Sequence, residues 1–298
     1  MFKPYSPNFS PELISCEMDA IYHYDRNKIS TLLYSIIQQN SNQQVQEWLQ
    51  QQKSKLEESN ATQRFYGTFT AIPRFTGKNS IPDTTIPGFF IHGYTLDRLA
   101  RMWWLLQLPT ENKDQYIQTI EGLFGAADMN EQIALYGALP LLAWPEEWKL
   151  RTAEGIRSNI GPVLEAIMLH NPYPAAYLEE AAWNQLVMKA IFTDKPIHLI
   201  TGLDKRANRK LADTLRDYAH ERWAAGRTVN PLLWRLIGPF IDEGSFPDIV
   251  RVWHSENSVE RDAAALACAA STYAPAQQLV KEISTTTLSW DSVAARIA

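Results

Sequence analysis

The chain has few of the residues on which common reaction centres are built. Its 298 residues include two cysteines, Cys16 and Cys268, too few for a disulfide framework or a four-thiolate zinc site. None of the six histidines has a second histidine four positions away, so the helical zinc-protease motif is absent. A Gly-x-Ser-x-Gly elbow, a phosphate-binding glycine loop and a dinucleotide-binding fingerprint are absent too. We therefore expect no metal and no cofactor, and the sequence names no catalytic residue.

Positive charge and long apolar runs are also scarce. Lys and Arg number 28 against 33 Asp and Glu, so the formal charge is −5, whereas a nucleic-acid binder needs a basic face. The uncharged stretches 29–46 and 263–280 contain Gln, Ser or Pro and do not resemble a membrane span of about 20 apolar residues. The N-terminus carries prolines where a signal peptide has its apolar run. We expect a cytoplasmic protein without a nucleic-acid partner or direct membrane insertion.

Helical periodicity dominates what is present. Apolar residues recur at spacings of three and four, and strand-like alternation is almost absent. Ser10 with Pro11 opens a helix near the N-terminus, and Asp128 with Glu131 matches a capping box. Many short helical segments are separated by Pro or Gly, which is typical of stacked helix pairs. The predicted fold class is all-α, either an α-solenoid of degenerate HEAT-like repeats or an irregular bundle of paired short helices.

Composition divides the chain into three stretches. Residues 1–78 form the Gln-rich N-terminal helices, 79–94 are an irregular connection rich in Pro and Gly, and 95–298 form a helical stack. We expect these to make one continuous domain, whose most distinctive part is 154–240.

Polar residues stand inside apolar helices in that distinctive part. On a helical wheel, the apolar residues of 174–192 surround the whole circumference, which predicts a buried helix. Its polar members, among them Glu180, Asn184 and Lys189, then need partners. Two interpretations stay open: these groups satisfy the ends of neighbouring helices, or they line a polar pocket.

The next helix, predicted over 205–225, places Arg222 within an apolar stripe and His220 on the opposite side. An inward guanidinium needs a carboxylate, carbonyls or an anionic ligand, and Glu179, Glu180 and Asp204 are the candidate carboxylates. A structural ion pair is the alternative to a ligand site.

These two helices supply the candidate binding residues. We predict that the side chains of Arg222 and Asn184 converge on one crevice, with Glu180 orienting Arg222 or Lys189. The full set of expected ligand contacts is Tyr173, Glu180, Trp183, Asn184, Lys189, Arg222 and Trp223. The cations at the start of the second helix, Lys205, Arg206 and Arg209, form a possible anion site. A solvated charge cluster is the alternative there.

Several longer runs carry a family resemblance, and together they cover roughly 60–245. They are His170-Asn-Pro-Tyr-Pro174, Glu180-Ala-Ala-Trp-Asn-Gln185, Lys189-Ala-Ile-Phe192, Glu154-Gly-Ile-Arg-Ser-Asn159, Gly202-Leu-Asp-Lys-Arg-Ala-Asn208 and Tyr218-Ala-His-Glu-Arg-Trp. In these runs the chain resembles the EboA family of bacterial metabolite-traffic proteins.

The resemblance implies a pathway and no mechanism. The family belongs to gene clusters associated with moving secondary-metabolite precursors, such as the scytonemin monomer, from cytoplasm toward periplasm, and it offers no catalytic site to transfer. We therefore expect a non-catalytic binding or adaptor protein whose partner is a hydrophobic aromatic small molecule or another ebo-cluster protein. Two alternatives stay open. One is an enzyme using acid–base chemistry at His170, with Glu165 or Glu179, or at His220; the other is a pure protein scaffold.

Overall fold

The computed structural model describes residues 24–57, 61–86, 88–281 and 288–297. The helix expected from Ser10 lies outside them. The described residues form sixteen α-helices and one two-stranded antiparallel hairpin, so the all-α prediction is confirmed. The HEAT-like repeat stays a prediction. Within the described ranges, no helix combines the length and apolar character that a bilayer crossing requires.

The elements follow one another along the chain with short connections. The helices are α1 (Arg26–Gln39), α2 (Gln43–Ser54), α3 (Ala61–Thr76), α4 (Leu96–Leu105), α5 (Lys113–Ala126), α6 (Met129–Gly137), α7 (Lys149–Ile156), α8 (Gly161–Met168), α9 (Tyr173–Tyr177), α10 (Glu180–Phe192), α11 (Arg209–Ala224), α12 (Trp234–Ile237), α13 (Phe246–Trp253), α14 (Ser258–Ala269), α15 (Ala274–Val280) and α16 (Trp290–Ala294). The strands are β1 (Thr84–Ile86) and β2 (Phe89–Ile91).

Side-chain caps fix where many of these helices begin. Asn42, Asn112 and Asn208 each accept a hydrogen bond from a backbone N–H in the first turn of α2, α5 and α11. A cap of this kind contributes about 1 kcal/mol. The capping box predicted for Asp128 and Glu131 is confirmed at the start of α6, where each side chain accepts from the other's backbone N–H.

The stretch 79–94, expected to be an irregular connection, contains the β-hairpin. Thr85 lies opposite Phe90, and Ile86, Phe89 and Ile91 are buried. The turn contains Gly88 in the left-handed region, whose carbonyl accepts from the Tyr24 hydroxyl at 2.5 Å. β-branched and aromatic residues favour these strands, but each is only three residues long. That length is too short for alternation to reveal a strand in the sequence.

Helix α4 lies at the centre of one continuous hydrophobic core and packs against α1, α3 and α6. Every residue of α4 except Arg98 is buried. The Trp104 indole N–H donates to the Phe65 carbonyl at 3.0 Å, which joins α4 to α3. Tryptophan supplies much of the core, as expected from its usual burial. The fully buried tryptophans are Trp103, Trp104, Trp148, Trp183 and Trp234.

A buried charge cluster joins α4 to α3 and α6. The Arg101 guanidinium lies 3.4 Å from a carboxylate oxygen of Asp97 and 3.5 Å from one of Glu131, which belongs to α6. Its Nε donates to the Phe69 carbonyl of α3 at 3.1 Å. All three charged residues are buried. The cluster therefore depends on every member, because removing one leaves the opposite charge uncompensated in the core.

The single buried helix predicted over 174–192 is wrong, because the chain forms two helices there. Helix α9 ends at Tyr177, Leu178 is extended, and α10 begins at Glu180. Arg206 stabilises the break, since its guanidinium donates to the carbonyls of Ala175 and Leu178 at 2.7 and 2.8 Å. A single helical wheel for 174–192 therefore does not apply. Glu180 is accordingly exposed instead of buried.

Replacing Arg101 with methionine tests the charge cluster. The substitution keeps most of the side-chain volume but leaves Asp97 and Glu131 buried without their cation. We expect the free energy of unfolding, measured in urea at pH 7, to fall by about 3–5 kcal/mol. The exposed Arg74→Met is the matched control and should change it by less than about 0.5 kcal/mol. Equal effects of the two substitutions would contradict the role given to the cluster.

Candidate functional site

A cleft of about 580 Å³ lies where the chain after β2 meets α4, α6 and α8. We call it the Arg98 cleft. The residues of its wall that matter for its chemistry are Phe90, His92, Arg98, Asn130, Glu165 and His170. They come from four separate segments, so the cleft exists only in the folded chain.

Helix α4 lines this cleft with Asp97, whose carboxylate contacts Arg101, and with Arg98. The guanidinium carbon of Arg98 lies 3.6 Å from the centroid of the Tyr94 ring, in a cation–π contact. The guanidinium of Arg98 also lies close to Gly137. A Cβ at position 137 would lie 2.7 Å from a terminal nitrogen of Arg98, so a larger residue there would displace the guanidinium. Burial lowers the pKa of Arg98, and Tyr94 and Asp97 offset this only in part.

The charge of Arg98 has no carboxylate partner in the described part of the chain. Its Nε is buried without an acceptor, and none of the ion pairs among the described residues includes Arg98, since the carboxylates of Asp97 and Glu131 contact Arg101. Arg101, one turn further along α4, is bound by two carboxylates and a carbonyl. The nearby acidic side chain of Asp97 is thus directed to Arg101. This difference leaves one guanidinium of α4 available to a ligand.

Aromatic rings form the rim of the cleft. The Phe90 ring stacks on His92 at a centroid distance of 5.7 Å and meets His170 edge-on at 4.7 Å. The two imidazoles lie 5.2 Å apart. Asp83 holds His92 through a 2.5 Å contact and also accepts the Gly93 N–H at 2.9 Å, which lowers the pKa of Asp83. The rim is therefore aromatic, and Asp83 holds its His92 ring in place.

His170 has an unusual backbone and an altered acidity. Its φ is 54°, in the left-handed region that few residues other than glycine adopt, and its N–H donates to the Leu199 carbonyl at 2.9 Å. Burial lowers the pKa of His170, and the neighbouring His92 and His198 lower it further, whereas Asp83 raises it. The imidazole is accordingly neutral at pH 7.

The acid–base pairs expected from the sequence are placed differently. Glu165 shares the cleft with His170, but its carboxylate accepts from the Lys195 ammonium at 2.6 Å. Glu179 is exposed and pairs with Lys149 at 3.2 Å. His220 lies away from the cleft, 2.7 Å from a carboxylate oxygen of Asp248. Of these, Glu165 is the candidate that the fold brings into the same cavity as His170.

Two of the expected ligand contacts line a second depression, a groove of about 540 Å³ between α10 and α11. There the Asn184 amide exchanges hydrogen bonds with Asn208 at 2.8 and 3.2 Å. The Lys189 ammonium donates to the Asn159 side chain at 2.9 Å, so Glu180 does not orient it. Asn208 also caps α11, and Asn184 therefore supports a helix start.

The remaining expected contacts lie elsewhere. Tyr173 and Trp183 are fully buried, and the Tyr173 hydroxyl donates to the Pro145 carbonyl at 2.6 Å. Trp223 stacks on Trp234 at 5.7 Å, on the wall of a third depression. These side chains are parts of the packing in this structure, and their role in ligand binding stays a prediction.

The predicted convergence of Arg222 and Asn184 is wrong. Arg222 lines a fourth depression, and its Nε donates to the Thr228 carbonyl at 2.9 Å, so the inward guanidinium finds a carbonyl rather than Glu180 or Asp204. Asn184 bonds to Asn208 before the first turn of α11, whereas Arg222 is in its last turn. At 1.5 Å per residue the two ends of this helix are about 20 Å apart.

The cations of the possible anion site are largely occupied by protein groups. Arg206 binds the two carbonyls that end α9, and burial lowers the pKa of Arg206. Arg209 donates to the Phe240 carbonyl at 2.9 Å and pairs with Asp242 at 2.8 Å. Lys205 is exposed. Asp204 is bound through both oxygens by Arg235, each at 2.6 Å. An anion site here stays a prediction.

Comparisons with known proteins place the chain in a family. The model of the EboA family, described as metabolite traffic protein EboA, matches residues 29–238. The chain belongs to the EboA family. No curated protein and no solved structure matches it. The EboA match extends further toward the N-terminus than the resemblance noted from the sequence, and it contains every residue that lines the Arg98 cleft.

The Arg98 cleft of this EboA protein is not predicted from its sequence. One signal was present: Arg98 and Arg101 both interrupt a helix that is otherwise strongly apolar over 95–108. The i, i+4 spacing of Asp97 and Arg101 favours an ion pair between them, but the sequence does not show that Glu131 of α6 also contacts Arg101 or that Arg98 lies in a cleft. Among the described residues, no group of three or more His, Cys, Asp or Glu side chains is placed to hold a metal ion.

Replacing His170 with asparagine tests the altered acidity of the imidazole. Asparagine tolerates positive φ and does not titrate. Because the folded-state pKa of His170 lies below its unfolded value near 6.5, the unfolded chain binds the proton more readily as pH falls. Wild-type stability is therefore unaffected by this group above pH 7 and decreases below pH 6.5.

We expect the free energy of unfolding to decrease less between pH 7.5 and 5 in His170→Asn than in the wild type, as measured by urea denaturation at several pH values. The exposed His254→Asn is the control and should follow the wild-type curve. Parallel curves for the wild type and His170→Asn would contradict the assignment.

Proposed function

We propose that this EboA protein binds a small aromatic metabolite in the Arg98 cleft and passes it on chemically unchanged. The observation that carries the proposal is a guanidinium without a carboxylate partner in the wall of a cavity with an aromatic rim. The cleft volume of about 580 Å³ falls within the range of roughly 300–1,000 Å³ typical of small-molecule sites.

The walls suit a flat, apolar guest. Phe90 and His170 meet edge-on at the rim, and Ile133 and Leu169 supply aliphatic surface. A ring placed against this surface gains from the removal of apolar area from water, at about 25 cal/mol per Å². The aromatic rim also offers ring–ring contacts worth about 0.5–1.5 kcal/mol each. These features support an aromatic molecule as the cargo.

The polar groups near the cleft favour binding over reaction. Glu165 is held by Lys195, and His92 by Asp83. Within the described residues, no serine, threonine or cysteine side chain forms a hydrogen bond with His170, so the nucleophile–base pair of covalent catalysis is absent there. A neutral His170 beside the guest supports the competing function, an enzyme that removes a proton from the metabolite.

The family supplies the biological setting of the proposal. Its description as a metabolite traffic protein supports a role in moving a precursor. The finer role we propose is a cytoplasmic binding or adaptor protein that delivers a secondary-metabolite precursor, of the scytonemin type, toward the periplasm, in contact with other ebo-cluster proteins. The groove between α10 and α11, with Asn184, Lys189 and the exposed Phe192, is the competing position for the guest.

Filling the cleft tests the proposal. Asn130 is exposed, lines the cleft and is the second residue of α6, so Asn130→Trp places an indole in the cavity. Asn27 is likewise exposed and is the second residue of α1, which makes Asn27→Trp a matched control. Purified proteins are incubated with the small-molecule extract of the producing cells, and bound compounds are identified by mass spectrometry.

We expect an aromatic compound to be retained by the wild type and Asn27→Trp, and to be at least tenfold depleted on Asn130→Trp. The retained compound should keep its mass. Equal retention by both tryptophan variants would place the guest outside the Arg98 cleft. A change in its mass after incubation would favour the enzyme.

A further inference from the structure

We infer that the Arg98 cleft selects aromatic carboxylates, with the guanidinium of Arg98 binding the carboxylate while the rim around Phe90 and His170 covers the ring. This inference rests on the proposed function and names the chemical class of its guest. It follows from the charges in the cleft wall, the start of α4 and the shape of the cavity.

The distribution of charge in the cleft favours a carboxylate guest. Three carboxylates lie in or beside the cleft, and each contacts a basic side chain: Asp97 contacts Arg101, Glu165 contacts Lys195, and Asp83 contacts the imidazole of His92. Arg98 lies in the same wall, and no carboxylate of the described residues forms an ion pair with it. An unpaired charge in a partly desolvated position is costly, and a carboxylate from the guest removes that cost.

The shape and orientation of the Arg98 guanidinium also suit a carboxylate. A guanidinium presents parallel N–H donors in a planar fork, which matches the two oxygens of a carboxylate. The Tyr94 ring lies against one face of this fork, and Gly137 leaves the room that the fork occupies. The orientation of Arg98 is thus fixed before a ligand arrives, which reduces the entropy lost on binding.

The start of α4 adds to the attraction for an anion. Thr95 is its N-cap residue, and the Thr95 side chain forms no capping hydrogen bond. Thr95, Asp97 and Arg98 all line the cleft. The Leu96 N–H in the first turn of α4 already donates to the Asn79 carbonyl at 2.9 Å, so the helix contributes the positive end of its dipole rather than a full set of free N–H donors. Both the helix and the guanidinium therefore favour negative charge in the same cavity.

The remaining charges facing the cleft do not reverse this preference. Asp97 is the nearest acidic group, and the Arg101 guanidinium lies 3.4 Å from it. His170 is neutral at pH 7, as argued from its burial. Its ring meets the Phe90 ring edge-on at 4.7 Å, so this part of the wall is aromatic and uncharged at pH 7. A ring carrying a carboxylate at one end fits this division.

The test uses 2-naphthoate and 2-naphthamide, which share a ring system and nearly the same shape but differ in charge. Their binding to the full-length protein is measured by calorimetry at pH 7.5. We expect 2-naphthoate to bind at least tenfold more tightly than 2-naphthamide. In Arg98→Met the affinity for 2-naphthoate should fall at least tenfold, while the affinity for 2-naphthamide changes less than threefold.

Two further variants make the result specific. Arg98→Lys keeps the charge but loses the planar fork, and we expect it to retain only part of the preference for the acid. The exposed Arg74→Met should bind both probes as the wild type does. Circular dichroism checks that each variant is folded. Should Arg98→Met not fold, Arg98→Lys and the comparison of acid with amide in the wild type decide the question.

The outcomes separate the two proposals. If both probes bind the wild type equally and Arg98→Met does not discriminate, the carboxylate inference is overturned and the aromatic guest survives. If neither probe binds, or if binding of both is unaffected by Asn130→Trp, the proposed function fails as well. A tenfold preference of the wild type for 2-naphthoate over 2-naphthamide that disappears in Arg98→Met supports both the proposed function and the carboxylate inference.

Discussion

The contact of Arg101 with Asp97 and Glu131 is the constraint on which the cleft depends. It brings α6 against α4 inside the core, while the Arg101 Nε reaches the α3 carbonyl at Phe69. Both nearby carboxylates are thereby directed to one cation. Arg98, a single turn away, remains stacked on Tyr94 without an acid of its own. The buried cluster thus decides two properties together: how three helices pack and which guanidinium is left for a ligand.

Much of the architecture could be predicted from local sequence. Apolar spacing gives the helices, and the capping box at Asp128 needs only residues three positions apart. The break after Tyr177 could not be predicted in this way, because the carbonyls there are satisfied by Arg206, almost thirty residues later. The hairpin was missed for a different reason: its strands have three residues each, and its turn is fixed by a hydrogen bond from Tyr24.

The site was harder to predict, because a helical wheel shows which way a side chain points and not what it meets. Arg222 falls beside apolar residues, as the wheel indicates, yet its Nε bonds to the Thr228 carbonyl six residues later. Compared with Arg222, Arg98 gave a weaker signal in the sequence, yet its environment in the fold is more unusual, because it stacks on Tyr94 with its Nε buried and without an acceptor. The i, i+4 spacing of Asp97 and Arg101 is visible in the sequence, whereas the position of Glu131 beside Arg101 and that of Arg98 in the cleft follow only from packing.

The construction of the cleft also explains why the chain carries no catalytic motif. Catalytic motifs are recognisable when neighbouring residues share one turn or loop, as in a nucleophile elbow. Here the wall comes from the hairpin region, α4, α6, α8 and the segment 196–199, and each contributes a few residues to the cavity. Under the proposed function, such a wall recognises the shape and charge of a guest. A cavity assembled from separate segments in this way leaves no short signature in the sequence.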